Sequence, residues 1–285
     1  MTTADGGPLR LLRHALAWGP LLLLVVGPVL SFLAYGFFSV DGTTIVRTPT
    51  LANYARIVTD PIYLPVFARS CALAASVAAL SVLLALPVAI LLWSLRGTLK
   101  YALALAFLVP LLMSYIIKIY AMRAILGGNG FLNRALQALG LVDGPSTLFV
   151  FNLNAVLLTL VALLIPFAIL PIFLSLERLP RNLMEASADL GGRPWQTLRH
   201  VVLPLAMPGI AAGAGFTFVL AIGDFVTPQM VGGTSGFTFA RIVFGQFGTA
   251  FNWPFGAALA VLMIAAVLAA MALAARAGRP PGTTA

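Results

Sequence analysis

The chain has 285 residues, 61% of them hydrophobic and only 9% charged, with a formal net charge of +9 and a mean hydropathy of +1.02. Those proportions exclude a soluble globular domain and direct the chain into a bilayer. The positive charge does not point to nucleic acid: the cations sit singly at the ends of apolar runs, as in positive-inside anchoring, and no basic patch interleaved with aromatics is present.

A helix crossing the hydrocarbon core takes roughly 20 mainly apolar residues, and six such runs can be placed. They are Ala15 to Phe38, Ser70 to Leu95, Tyr101 to Tyr120 with Lys118 near its end, Phe149 to Leu176, Leu203 to Gly223, and Pro254 to Ala275. No acidic residue lies in any of them. Arg10 and Arg13 ahead of the first run resemble a secretory signal, but the run is too long for a signal core and lacks a small-x-small cleavage site, so it reads as a retained span. The expected fold is all-α. A six-helix membrane domain covers 15–277, with a cytoplasmic segment 1–14 before it and a disordered cytoplasmic tail 278–285 after it. Cys71, alone, excludes an intrachain disulfide and a cysteine-based zinc site.

An even number of spans puts both termini on one side, together with the second-to-third and fourth-to-fifth connections. That side holds Arg10, Arg13, Arg96, Lys100, Arg178, Arg181, Arg193, Arg199, Arg276 and Arg279; the other holds Arg47, Arg56, Arg69, Lys118, Arg123, Arg134 and Arg241. The bias makes the first side cytoplasmic. Acids fall on both sides: Asp41, Asp60, Asp143 and Asp224 outside, Asp5, Glu177, Glu185 and Asp189 inside. Of the outer loops, Ser39 to Arg69 is expected to form short helical or turn pieces, Leu126 to Leu148 a short amphipathic helix with Phe131, Leu132, Leu136 and Leu139 on one face, and Asp224 to Trp253 a Gly-, Thr- and Phe-rich loop.

The inner connection over 178–204 is the most polar part of the chain. Asn182 can cap a helix whose third residue is Glu185, in a capping-box-like arrangement. Leu183, Ala186 and Leu190 form one face, and Asn182, Glu185 and Asp189 the other. Gly191 supplies a left-handed stop, Pro194 starts a second short helix, and Leu203-Pro204 marks entry into the fifth span. The small residues Ala186, Ser187 and Ala188 would let a partner approach the helix closely, and Glu185 offers it a charge. On local physics alone, an amphipathic surface helix between two spans explains the loop equally well.

Glu185, Ala186, Ser187, Gly191, Val201, Leu203 and Pro204 resemble the EAA motif of ATP-binding-cassette (ABC) importer permeases, with Ser187 and Val201 as mild departures. Asn53-Tyr54, Asp60-Pro61, Arg69-Ser70, Gly223 to Pro228 and Asn252 to Gly256 are similar to the first permease subunit of spermidine/putrescine-type importers. The resemblance implies the type I importer permease fold, with a cytoplasmic coupling helix between the fourth and fifth spans. It implies an inner-membrane subunit forming half of a path for spermidine, putrescine or a related small cationic solute. It further implies an ATPase dimer at the cytoplasmic loop, a second permease in a heterodimer and a periplasmic binding protein. Glu185, Ala186, Ser187, Ala188, Asp189, Gly191, Leu203 and Pro204 would then couple the chain to the ATPase, which alone would bind ATP. The chain itself is expected to bind no cofactor and no nucleic acid. Its two lysines, Lys100 and Lys118, follow Leu99 and Ile117, so neither belongs to a phosphate-binding P-loop. Permeases for opines, iron or sulfate are the nearest alternatives.

Gly233-Thr234-Ser235-Gly236 matches a stretch of rhomboid-type intramembrane proteases, but His14 and His200 fall on the inner side and Ser235 in an outer loop, so no serine–histidine pair can form. The same histidines lack partners for a metal site. An ion-coupled secondary carrier needs ionisable groups near the midplane, and the spans hold no acid there. Asp224, near the outer end of the fifth span, is the charge best placed to meet a cationic solute; a cap or turn residue paired with Arg241 is the plainer reading. Tyr115, Tyr120, Phe151, Asn152 and Asn154 are further path candidates, set against the usual anchoring role of aromatics near span ends.

Overall fold

Hydrophobic runs separated by Gly- and Pro-containing turns fold as helices in a computed structural model that describes residues 7–42, 44–142, 144, 148–180 and 182–279. Asp5, Asp143, Arg181 and the expected tail beyond Arg279 lie outside the described residues. The chain divides into two units, one of 1–61 with 243–264, the other of 62–242 with 265–285.

In the first unit, α1 spans Gly7–Tyr35, and none of its described side chains between Trp18 and Tyr35 is buried. A helix apolar on all sides suits lipid. It runs into a hairpin of β1 (Ser39–Asp41) and β2 (Thr44–Val46), with Asp41 opposite Thr44. Gly42 turns it at φ +60°, a conformation that favours glycine. α2 (Ala52–Thr59) is tied back by Asn53, whose Nδ2 donates to the carbonyls of Gly36 (3.0 Å) and Phe38 (2.7 Å). Arg56 lies 4.6 Å over the Phe255 ring. Asn252 caps the helix that follows it, its Oδ1 accepting from the Phe255 amide at 3.1 Å. The Asn53-Tyr54 and Asn252 to Gly256 motifs therefore have structural duties of their own.

The second unit contains α3 (Tyr63–Ser94), α4 (Thr98–Leu112), α5 (Tyr115–Leu126), α6 (Phe131–Ala138), α7 (Leu153–Glu177), α8 (Asn182–Asp189), α9 (Pro194–Thr197), a π-helical turn Leu198–Val202, α10 (Leu203–Gly223) and α11 (Val226–Val231). Two further helices, α12 (Phe239–Gly248) and α13 (Trp253–Ala277), are divided between the units. α3, α7 and α10 pack on one another. Their core has one apolar cluster around Val77, Val156 and Leu160 and another around Leu92, Ile172 and Leu176. Close approach of α10 to α7 depends on Gly209 and Gly213. A Cβ at Gly209 would lie 2.4 Å from the Ser175 Cβ, and one at Gly213 3.1 Å from the Ala168 carbonyl oxygen. The pair is a small-xxx-small seam, which lets backbones pack in lipid where no hydrophobic force joins helices.

The expected third span is not a single straight helix. Among the described residues five helices are long and apolar enough to cross a membrane, or up to six if the pair Thr98–Leu112 and Tyr115–Ala138, bent by 95°, is one broken span. Pro110 removes a donor from the last turn of α4, and Met113 and Ser114 are extended (ψ 149° and 130°). In the connection 126–148, expected on the outer side, α6 forms where expected, but Phe131 is 77% exposed while Asn133 is buried and donates to the Gly127 carbonyl at 2.9 Å. The expected third outer loop, 224–253, contains two helices, α11 and α12. α12 starts where the Phe239 amide donates to Ser70 Oγ (2.8 Å) and Phe239 packs on Phe67.

Candidate functional site

Two constellations stand at opposite ends of α10, whose 21 residues extend about 30 Å. At its N-terminal end is the loop over 178–204. Before it, Glu177 pairs with Lys100, which is only 4% exposed and lies 5.6 Å from the Phe173 ring. Lys100 is thus a buried tie between α4 and α7, not the free interfacial cation expected. α8 begins at Asn182 itself, with the Leu183 amide bonded to the Pro180 carbonyl, so Asn182 is the first helical residue and not the cap.

α8 ends in a Schellman turn. The Gly191 amide donates to the Ala188 carbonyl and the Gly192 amide to the Ser187 carbonyl, both at 2.9 Å, with Gly191 at φ +76°. A Cβ at Gly192 would lie 2.7 Å from both the Ser187 carbonyl and its hydroxyl oxygen. That hydroxyl meets Thr197 Oγ1 at 2.7 Å, so Ser187 clips α8 to α9 and faces inward. Pro194 opens α9, whose Gln196 side chain accepts from the Arg193 amide at 2.9 Å. Leu203-Pro204 opens α10 as expected, and α9, the π-helical turn and α10 run on as one apolar segment, Pro194–Gly223.

The expected face of Leu183, Ala186 and Leu190 is not the packed one. Leu183 is half-buried and Met184 packs into the second cluster, while Leu190 is 90% exposed. Glu185, Ala186, Ala188 and Asp189 are exposed beside it. Glu185 also shares a notch of about 210 Å³ with Trp93, Arg96 and Met184.

At the other end of α10, Asp224 leaves the helix in an extended conformation. Its Oδ1 accepts from the amides of Val226 (2.9 Å) and Thr227 (3.2 Å), and its Oδ2 from the Tyr115 hydroxyl at 2.5 Å. The carboxylate therefore caps the turn into α11. Arg241 instead donates to the Gly233 carbonyl and stacks on Phe237. The 95° bend delivers Tyr115 to this place. Asp224, Tyr115 and Lys118 line a cavity of about 450 Å³ whose walls include Leu163, Phe167 and Leu220, a volume in the range of small-molecule sites.

The chain matches the binding-protein-dependent transport system inner membrane component family over residues 23–279. It belongs to that family. It is 39% identical to the inner membrane ABC transporter permease protein YdcU of Escherichia coli K12, over 91% of this chain and 88% of YdcU. To the spermidine/putrescine transport system permease protein PotB of the same strain it is 33% identical, over 86% of this chain and 89% of PotB. Among solved structures it is similar to a bacterial alginate ABC transporter in complex with pentasaccharide-bound periplasmic protein (TM-score 0.66, 14% identity, 96% of each chain). It is also similar to the inward-facing MetNI methionine ABC transporter (TM-score 0.58, 20% identity, 78% of this chain and 98% of that one). These last two are likenesses of fold. The molecule is thus a multi-pass membrane permease with the ABC importer permease fold.

Of the path candidates in this permease, Asp224 and Tyr115 come together and the others do not join them. Tyr120 is 56% exposed on the far side of α5. Asn152 caps α7, accepting from the Ala155 amide at 2.9 Å and donating to the Leu148 carbonyl at 2.8 Å, where Asn154 also donates. Phe151, at φ +50°, is stacked 5.2 Å from Arg123, and its carbonyl accepts from Ser235 Oγ. Ser235 is accordingly a turn residue, and the His200 Nδ1–H is bonded to the Gln196 carbonyl. Lys118 is the cavity residue that sequence reasoning left without a role, although a cation inside an apolar run was the signal for one.

Proposed function

We propose that this permease forms half of the translocation path of an ABC importer for spermidine, putrescine or a related small cationic solute. A second permease, in a heterodimer, supplies the other half, and a periplasmic protein delivers the solute. A separate ATPase dimer binds the ATP and docks on the Glu185 to Pro204 loop; this chain catalyses nothing and binds no cofactor. Its place is the bacterial inner membrane, with the 15–277 domain embedded and the 1–14 segment, the loop and the 278–285 tail in the cytoplasm. ATP binding closes the ATPases, the loop carries that motion into α10, the path opens outward, and hydrolysis resets it.

The observation that carries this reading is the α8 surface, where Leu190 stands 90% exposed beside small and acidic residues on a helix closed by a Schellman turn. An apolar side chain held out on a rigid loop is suited to enter a groove of another protein. For the solute class, support comes from the 33% identity to PotB and from the carboxylate and aromatic ring lining the cavity. In the reconstituted complex, Glu185→Lys and Gly191→Asp lower solute-stimulated ATP hydrolysis by roughly tenfold or more while membrane insertion stays intact. Normal transport in both variants overturns the coupling role. Asp224→Asn keeps the cap acceptor and removes the charge; unchanged uptake kinetics in that variant remove Asp224 from the path.

A further inference from the structure

We propose that Lys118 recognises an oxygen acceptor on the transported solute, so that the solute carries a carboxylate or amide carbonyl in addition to its amine. The inference rests on the reading of the Asp224 cavity as part of the path, and it narrows the solute class.

Lys118 is not on the exposed side of α5. It shares a stripe with Tyr115, Ile119, Met122 and Leu126, all buried or half-buried, whereas Ile116, Ile117 and Tyr120 are exposed. It lines the cavity, and its ammonium lies 5.6 Å from the centroid of the Tyr115 ring. Among the described residues it has no hydrogen-bond or ion-pair partner. An ammonium offers three donors, and a solute that fills the cavity beside Leu163, Phe167 and Leu220 without bringing an acceptor would leave them unsatisfied.

Asp224 is in the opposite condition. Three protein donors already reach its carboxylate, and a carboxylate has about four acceptor positions. It has room for one further donor, such as a solute amine. The cavity lining thus sets a cation, Lys118, and an anion able to accept from one further donor, Asp224, around one space. A bare polyamine would set a second positive charge beside Lys118, where an apolar wall strengthens the repulsion. A solute with an ammonium for Asp224 and an oxygen for Lys118 satisfies both groups.

The test uses the complete complex in proteoliposomes with its own binding protein and compares putrescine, 4-aminobutanoate and N-acetylputrescine. Lys118→Met is expected to lower the uptake efficiency of the acceptor-bearing probe or probes carried by about tenfold or more, the usual scale for losing a hydrogen bond to a charged group. Putrescine uptake should change by less than about twofold or rise. Basal ATP hydrolysis and yield in membranes verify assembly, and Lys118→Leu replaces Lys118→Met if the latter does not assemble. Equal loss for all probes, or no loss for the acceptor-bearing ones, overturns the proposal, as does wild-type uptake of putrescine alone, which leaves the path reading standing. Failure of the wild-type complex to carry either acceptor-bearing probe overturns this inference, whereas unchanged uptake in Asp224→Asn overturns the path reading and this inference with it. Loss of 4-aminobutanoate only assigns the acceptor as a carboxylate; loss of N-acetylputrescine as well assigns a neutral oxygen.

Discussion

Gly209 is where the packing of this permease can be tested most sharply. Gly209→Ala places a methyl carbon 2.4 Å from the Ser175 Cβ and 2.5 Å from the Pro171 carbonyl oxygen, where non-bonded carbons settle at about 3.5–4.0 Å. Neither obstacle is the free end of a flexible side chain, so α10 must retreat from α7 by about an ångström along a seam of close contacts. Overpacking of this kind costs about 1–3 kcal/mol. Alanine in place of glycine inside a helix returns about 0.8–1.0 kcal/mol, leaving a net loss of about 1–2 kcal/mol, since both obstacles put the clash toward the upper end. Gly245→Ala in α12 is the control, because among the described residues nothing lies within 4 Å of its added Cβ; only the helix gain applies there. Denaturant unfolding of the purified permease in one detergent should show Gly209→Ala less stable than wild type and Gly245→Ala equal or more stable. If the two variants behave alike, the argument from the α7–α10 seam is refuted.

Breaking the buried Lys100–Glu177 pair one partner at a time should be more damaging than removing both. Lys100→Met or Glu177→Leu alone leaves an uncompensated charge, at roughly 3–5 kcal/mol, whereas Lys100→Met with Glu177→Leu should recover most of the membrane yield; a double variant no better than the singles would contradict the pairing. Removing the Ser187 clip by Ser187→Ala, which restores the alanine of the motif, should lose about 0.5–1.5 kcal/mol of loop stability. Limited proteolysis at the loop reads this as faster cleavage, and Thr197→Val added to Ser187→Ala should add only the smaller effect of losing the 3.3 Å bond from Thr197 to the Arg193 carbonyl.

The spans were legible because their signal is local: about twenty apolar residues in a row need no knowledge of the rest of the chain, and α10 runs from Leu203 to Gly223 as its sequence implies. Gly191 was legible for the same reason, since a helix stop is written within a few residues. The bend at Met113-Ser114 was not, because hydropathy is continuous across it and only Pro110 hints at it. The hairpin at Gly42 is too short for a periodic pattern, although Asp41-Gly42 is a turn signal. The pairs that build the sites lie far apart in sequence: Lys100 with Glu177 is separated by 77 residues, Tyr115 with Asp224 by 109, and Ser70 with Phe239 by 169. No window of sequence contains both members. The orientation of α8 escaped for another reason. A helical wheel shows which residues share a face but not which face meets the protein, and Met184 rather than Leu190 faces inward.

The two constellations communicate, in the proposed mechanism, through a single helical body. α9 continues through the π-helical turn Leu198–Val202 into α10, and a single-turn π segment is a common place for a helix to change course without losing its backbone bonds. Downstream of it α10 is held against α7 at Gly209 and Gly213, so a displacement of α8 cannot be absorbed there by bending away. It must either carry α7 along or slide α10 past it. Asp224 ends that rod and is bonded to Tyr115 at the bend between α4 and α5, which makes the phenol–carboxylate contact the first one at the cavity to feel a shift of α10. Tyr115→Phe removes that contact while keeping the ring. It should leave assembly and ATP binding intact and weaken the dependence of ATP hydrolysis on solute, measured in the reconstituted complex as the ratio of stimulated to basal rate. An unchanged ratio would mean that the motion reaches the cavity by another route.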